Sequence, residues 1–169
     1  APSGWHVPTQ TEWDDLITSA GGNLTAGAKL KEAGINHWDQ DHGVTNDYLF
    51  SLLGAGQRDA NTGNFIYLKA SCAAWTLTDW YGVGTIQAYA NSTTMQMYTG
   101  AAAYVKGCSI RLIKDDSTDL GTVTDIDGNV YTTVKSGTQV GMAQNLKVEH
   151  FNNGTAIPIV TGSAAWLAL

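Results

Sequence analysis

Apolar and polar positions change period more than once along this chain. Trp13, Leu16 and Ile17 recur at helical spacing and predict an amphipathic helix with one face turned to a core. Pro8 bars helix on its N-terminal side and pushes Val7 toward an extended conformation. Thr9 is then the N-cap, and Glu12, three residues on, completes a capping box. Gly21-Gly22 is the stop. A second, shorter helix is expected over residues 26–33, ending at Gly34. Residues 35–64 are rich in Asn, Asp, Gly and His, with isolated apolar anchors at Trp38, Leu49, Phe50, Leu52 and Leu53. They read as long loops pinned by side chains. From Phe65 the chain alternates as strands do, over 65–68, 73–77, 86–90, 95–98 and 104–113, with Trp80 to Gly84 as an interruption. A hairpin follows over 123–134, with Asp127-Gly128 at its turn, and strand-like pieces continue it over 137–140, 142–147 and 154–158.

Size and charge narrow the function classes. At 169 residues the chain is one domain's worth, enough for a proper core. Only 14% of residues are charged and the net charge is -6, which argues against nucleic acid and against a polybasic membrane contact. No apolar run approaches the length of a membrane span, and no signal peptide remains, so if the protein is secreted its signal was removed or left out. Nineteen glycines, with many Thr, Asn, Ser and Ala, suit a turn-rich extracellular domain. Catalytic signatures are missing. His6, His37, His42 and His150 lack metal-binding spacing, and no nucleophile elbow, phosphate loop or dinucleotide fingerprint occurs. Asp14-Asp15 and Asp115-Asp116 sit at a helix start and in a linker, where solvation is the default. Asp39, Asp41, His42, Asn46 and Asp47 form an oxygen-rich stretch without calcium-loop spacing, so a solvated loop is expected. The expectation is a protein that is not an enzyme.

The stretch Pro2-Ser3-Gly4-Trp5-His6-Val7-Pro8 resembles the signature of the Fibrobacter succinogenes major paralogous domain family. Leu30 to Gly34 with His37-Trp38, Gly54 through Arg58, and Gly107 through Asp115 resemble further pieces of it. The family is similar to the formylglycine-generating-enzyme branch of the C-type-lectin-like architecture. The resemblance implies an α+β fold of mixed antiparallel sheets, with one or two helices and long loops, at the bacterial cell surface. It does not carry catalysis over, because Cys72 and Cys108 do not match the closely spaced copper-holding cysteines of those enzymes. The family's usual cysteine positions hold Ala1 and Leu112 here, so a replacement disulfide between Cys72 and Cys108 is expected. Relatives of this fold use calcium structurally, but no residue set here earns it, and no other cofactor is expected. Ser117 lies in a match to a short O-glycosylation signal, Asp116-Ser117-Thr118. The stretch 74–79 departs from the family pattern. Lectin-like proteins commonly place ligand contacts on the surface that residues 75–98 would form, which makes Trp80, Tyr81, Tyr89 and Asn91 candidates for binding a glycan or protein. Trp75 is expected to be core or support.

The order of the pieces is the unusual feature. Residues 1–114 resemble the later part of the family domain, 115–122 read as a polar linker, and 123–169 resemble the domain's opening part. Three arrangements would explain this: a cut from a tandem array, a tail that folds back as a circular permutant, or a tail that completes a neighbouring copy. In each, Val130, Tyr131, Val134, Val140, Met142, Leu146 and Trp166 are the expected assembly residues. Ser136 and Gly141 stand where the family usually has Ile and Trp, so a hole must be filled by rearrangement or by another chain. An unfilled hole of that size would cost roughly 3–5 kcal/mol. Two functions follow as expectations: a self-associating structural domain of a surface filament or adhesin, and a lectin-like module binding through residues 75–98.

Overall fold

The structure is a computed structural model describing residues 1–115 and 119–169. The glycosylation signal at 116–118 lies outside the described residues. The chain opens with β1 (Trp5–His6) and turns at Pro8 into α1 (Gln10–Ser19), then α2 (Ala26–Leu30). Two small strands follow, β2 (Gln57–Arg58) and β3 (Phe65–Ile66), and then β4 (Ser71–Trp80), β5 (Gly84–Asn91) and β6 (Met97–Ala103). The remainder comprises β7 (Ile113–Lys114), β8 (Thr122–Thr124), β9 (Val130–Ser136), β10 (Gln139–Met142) and one helical turn, α3 (Ser163–Trp166). The named strands all pair antiparallel, and the fold is α+β, mainly β.

Local chemistry explains α1. Thr9 accepts from the Glu12 N–H and its own N–H donates to the Glu12 carboxylate, so the capping box forms. At the other end Gly21 adopts φ +104°, and the Gly22 N–H reaches the Ile17 carbonyl at 2.9 Å. The second helix is shorter than its sequence suggests and stops at Leu30 rather than Ala33. Lys31 turns extended, its backbone bridging Leu52, and its ammonium donates to the carbonyls of Asn91 (3.0 Å) and Thr94 (2.8 Å). There it is fully buried above the Trp38 ring.

Two apolar clusters make the core. In the first, Trp13, Leu16 and Ile17 of α1 pack with Trp38, Phe50 and Leu52 on the inner face of the sheet β4-β5-β6. That face is built from small residues, Cys72, Ala74, Ala88 and Ala90, which let the helix lie close. In the second, Leu112, Val123, Tyr131 and Met142 are buried with Trp5, Val7, Ile110 and Leu146 against them. The strand expected over 104–113 is broken. Its middle crosses Arg58 as an isolated bridge at Gly107, where a Cβ would stand 2.8 Å from that of Arg58. Only a glycine tolerates this approach.

The C-terminal segment is part of the body. The five-stranded sheet runs β1-β7-β10-β9-β8, so β10 lies between a strand of the first 114 residues and β9. Tyr131, Val140 and Met142 are each no more than 2% exposed, Val134 packs on the first cluster and Leu146 on the second, while Val130 points to solvent.

The hole expected at Ser136 and Gly141 has largely closed. Phe50 packs edge-on to Trp13 at 5.9 Å, and a cavity of about 30 Å³ remains, lined by Trp13, Phe50, Arg111, Ser136 and Gly141 among others. At roughly 24 cal/mol per Å³ this residue costs under ~1 kcal/mol, far less than an empty tryptophan site. Ser136 Oγ is buried there with no partner among the described residues. Ser136→Val should therefore stabilise by about 1 kcal/mol, raising Tm by about 3 °C in a thermal melt. A lowered Tm would show that the cavity cannot take the added methyls.

Candidate functional site

The seam between body and tail is held by two buried arginines. Arg111 lies at the end of a motif whose neighbours, Ile110 and Leu112, are apolar, and it is 1% exposed. Its guanidinium donates to the carbonyls of Phe50, of Ser51 at 2.7 Å and of Met142 at 3.5 Å, and its Nε donates to the Asn145 side chain at 2.8 Å. It also lies 4.6 Å over the Phe50 ring. No acidic side chain faces it in these bonds, and burial pulls its pKa down to about 10, still protonated at neutral pH. Arg58 does the same for the chain's last stretch. It is sandwiched between the Phe65 and Trp166 rings (4.8 and 4.4 Å) and donates to the carbonyls of Val160, Thr161 (3.2 Å) and Gly162 (3.1 Å). Trp166 Nε1 closes the contact by donating to Val105 O at 3.1 Å. Each planar fork thus ties carbonyls of one segment to the other.

The candidate ligand residues separate into two places. Trp80 and Tyr81 form the tip of the β4–β5 hairpin, where Tyr81 and Gly82 both have positive φ (+53° and +71°) as a primed turn requires. Tyr81 is 89% exposed and meets Trp80 edge-on at 6.0 Å. Tyr89 is five residues down β5, roughly 17 Å away at strand rise. It pairs with Tyr98, ring centres 5.4 Å apart, on the sheet face turned away from α1. Trp75, expected as core or support, is half-buried and paired with Gln87 on this outer face, because Ala74 beside it points inward. Asn91 is a turn residue: its side-chain oxygen accepts from Thr93 N, Thr93 Oγ1 and Thr94 Oγ1.

The expected disulfide is not formed: Cys72 and Cys108 are free thiols. The pleat explains this. Cys72 faces the core with Ala74 and Ala90, whereas Cys108 Sγ contacts the Gln87 amide on the opposite face. Burial pushes the two thiols up to about 12 and about 11, so neither is a nucleophile at neutral pH. Among the described residues no group of three His, Cys, Asp or Glu side chains could hold a metal. Asp41 caps the N–H groups of Gly34 and Val44, and Asp125 accepts from the N–H groups of Asp127 and Asn129 and from the Tyr131 hydroxyl. These acids organise turns. No helix among the described residues is long and apolar enough to cross a membrane.

His6 makes the opening motif sensitive to pH. Its ring stands between Asp115, 2.5 Å from Nδ1, and Glu12, 2.9 Å from Nε2. Burial opposes its charge, but the bonds to and charges of these two carboxylates win, raising it above its ordinary 6.5. Burial also works against the Glu12 charge, yet the bonds from Thr9 and His6 hold it below its ordinary 4.5. The His6 contribution is complete below 6.5 and is lost as pH rises through the raised value. That of Glu12 is complete above 4.5 and is lost as pH falls through the lowered one. Thermal stability should thus be greatest in mild acid, and His6→Gln should flatten its decline above neutrality. An unchanged alkaline limb in that variant would contradict this.

Arg58, Arg111 and Lys31 are the residues that sequence reasoning passed over. The available signal was a cation inside each of the three family-like motifs. No curated protein and no solved structure matches the chain. Residues 1–114, the stretch that carries both arginines and the opening proline turn, match the Fibrobacter succinogenes major domain, and the chain belongs to that family.

Proposed function

We propose that this chain is a non-enzymatic structural and adhesion domain of the cell exterior, with a C-type-lectin-like body of the formylglycine-generating-enzyme type. It self-associates through its C-terminal segment, by tandem repetition or by donating that segment to a neighbouring copy. The observation that supports this reading is the place of β10. An inner strand of the body's sheet comes from the far end of the chain, and hydrogen bonds and packing rather than a disulfide fasten it there. A neighbour's segment offers the same groups, and head-to-tail donation does not close on itself, so it builds filaments. Light scattering across a concentration series tests this. Oligomers that grow with concentration are expected, and a strict monomer at high concentration overturns it.

A second reading has one observation in its favour, the gathering of Trp75, Tyr89 and Tyr98 on an open sheet face. Flat aromatic faces suit the apolar faces of sugar rings. Under this reading Tyr89→Ala abolishes glycan binding while assembly persists. Trp80→Ala with Tyr81→Ala asks the same of the hairpin tip.

A further inference from the structure

The free edge of β6 is the surface we infer to be a docking site for a second copy of this chain, strand against strand. β6 is the end strand of its sheet, and among the described residues no strand lies beyond it. Other sheet ends are guarded or very short. The far side of β4 is covered by Ser109, which exchanges bonds with Ala73 and Trp75 at 2.9 Å, and the five-stranded sheet ends in strands of two and three residues. β6 has seven residues and neither proline nor charge. No charged side chain occurs anywhere from Trp80 to Val105. Edge strands that must stay single usually carry lysine, proline or a bulge, and this one carries none of them.

The direction of its backbone groups can be read from the bonds around it. Ala73 and Trp75 turn their backbone groups outward to Ser109, so Ala74 bonds Ala88 across β4 and β5, and Gln87 and Tyr89 turn toward β6, facing Gly100 and Tyr98. The alternate residues of β6 therefore point outward. Met97 confirms the phase, its N–H donating away from β5 to Asn23 at 3.0 Å. Thr99 and Ala101 share that direction, and among the described residues their backbone groups have no partner. The Thr99 side chain is fixed beneath the sheet by Asp14 (2.8 Å) and Gln10 (3.3 Å), so the edge is presented rigidly.

The sequence of this edge is complementary to itself. An antiparallel pairing about a two-fold axis at Gly100 sets Thr99 opposite Ala101 of the partner subunit, and the reverse, completing about four backbone hydrogen bonds. The same register puts Tyr98, 42% exposed, beside Ala102 of the partner subunit, and glycine on glycine at the axis. No side chain of like charge or competing bulk meets its copy. Two three-stranded sheets thereby become one of six strands. This contact is separate from exchange of the C-terminal segment, and both can operate in one assembly.

Sedimentation velocity from about 10 μM to about 1 mM, with amide exchange on the same samples, tests it. A reversible dimer is expected, and the Thr99 and Ala101 amides should exchange at least ~10-fold more slowly in the concentrated sample. Ala101→Pro removes an outward N–H, and Ala101→Lys sets a charge on an exposed position without touching the bonds to β5. Each should weaken the dimer at least ~10-fold, and the lysine variant should keep the wild-type melt. A chain that stays monomeric throughout, leaving the edge to the strand of another protein, overturns the inference. So does a dimer indifferent to both variants, which is the behaviour of segment exchange alone.

Discussion

Replacing Arg111 by alanine is expected to lower Tm by about 10 °C. Four groups from three segments converge on its guanidinium: the carbonyls of Phe50, Ser51 and Met142 and the side chain of Asn145. Truncation would leave several buried acceptors without donors and open space beside the Phe50 ring. Leaving a buried acceptor without its donor typically costs about 1–3 kcal/mol, several are stranded here, and a chain of this length loses roughly 2–4 °C per kcal/mol. Arg111→Lys keeps the charge but loses the planar fork, so it should recover less than half of the deficit. Differential scanning calorimetry of both variants decides the matter. A change of under about 2 °C for the alanine variant would mean that these carbonyls find other partners.

Cutting the chain after Gly121 should abolish cooperative folding. Val123, Tyr131, Val140 and Met142 are between 0 and 6% exposed, and all would be lost. At about 1.5–3 kcal/mol each, their burial alone is comparable to the whole stability of a typical domain, about 5–15 kcal/mol. The cut also exposes Leu112 and Ile113, and strips β7 of its neighbour on one side. Removing only residues 159–169 should be milder. It frees Arg58 from its carbonyls while leaving the five-stranded sheet in place. Circular dichroism melts of the two truncations should therefore differ sharply, with a single transition only in the second. A cooperative melt for the first would contradict the packing described here.

What was legible in the sequence is what is decided locally. Thr9 and Glu12 cap a helix from three residues apart, and Asp127-Gly128 turns a hairpin, with Gly128 at φ +82°. The positions that escaped are decided across the fold. Arg111 meets Phe50 and Arg58 meets Thr161, partners about sixty and a hundred residues away. Lys31 leaves its helix early to bridge Leu52, and its ammonium meets carbonyls about sixty residues further along the chain. Cys72 and Cys108 are expected to pair because the family's usual cysteine positions are vacated, but the pleat puts them on opposite faces. Asn91 looked like a ligand residue because amides often are, but its neighbours Thr93 and Thr94 already engage it. Periodicity carries the elements, while long-range polar contacts carry the seam between body and tail.

That seam is tested most directly by making its two sides separately. Titrating residues 122–169 into residues 1–121 in a calorimeter should give one-to-one association, with recovery of a melt close to that of the intact chain. A body that folds fully by itself, and takes up no tail, would contradict it.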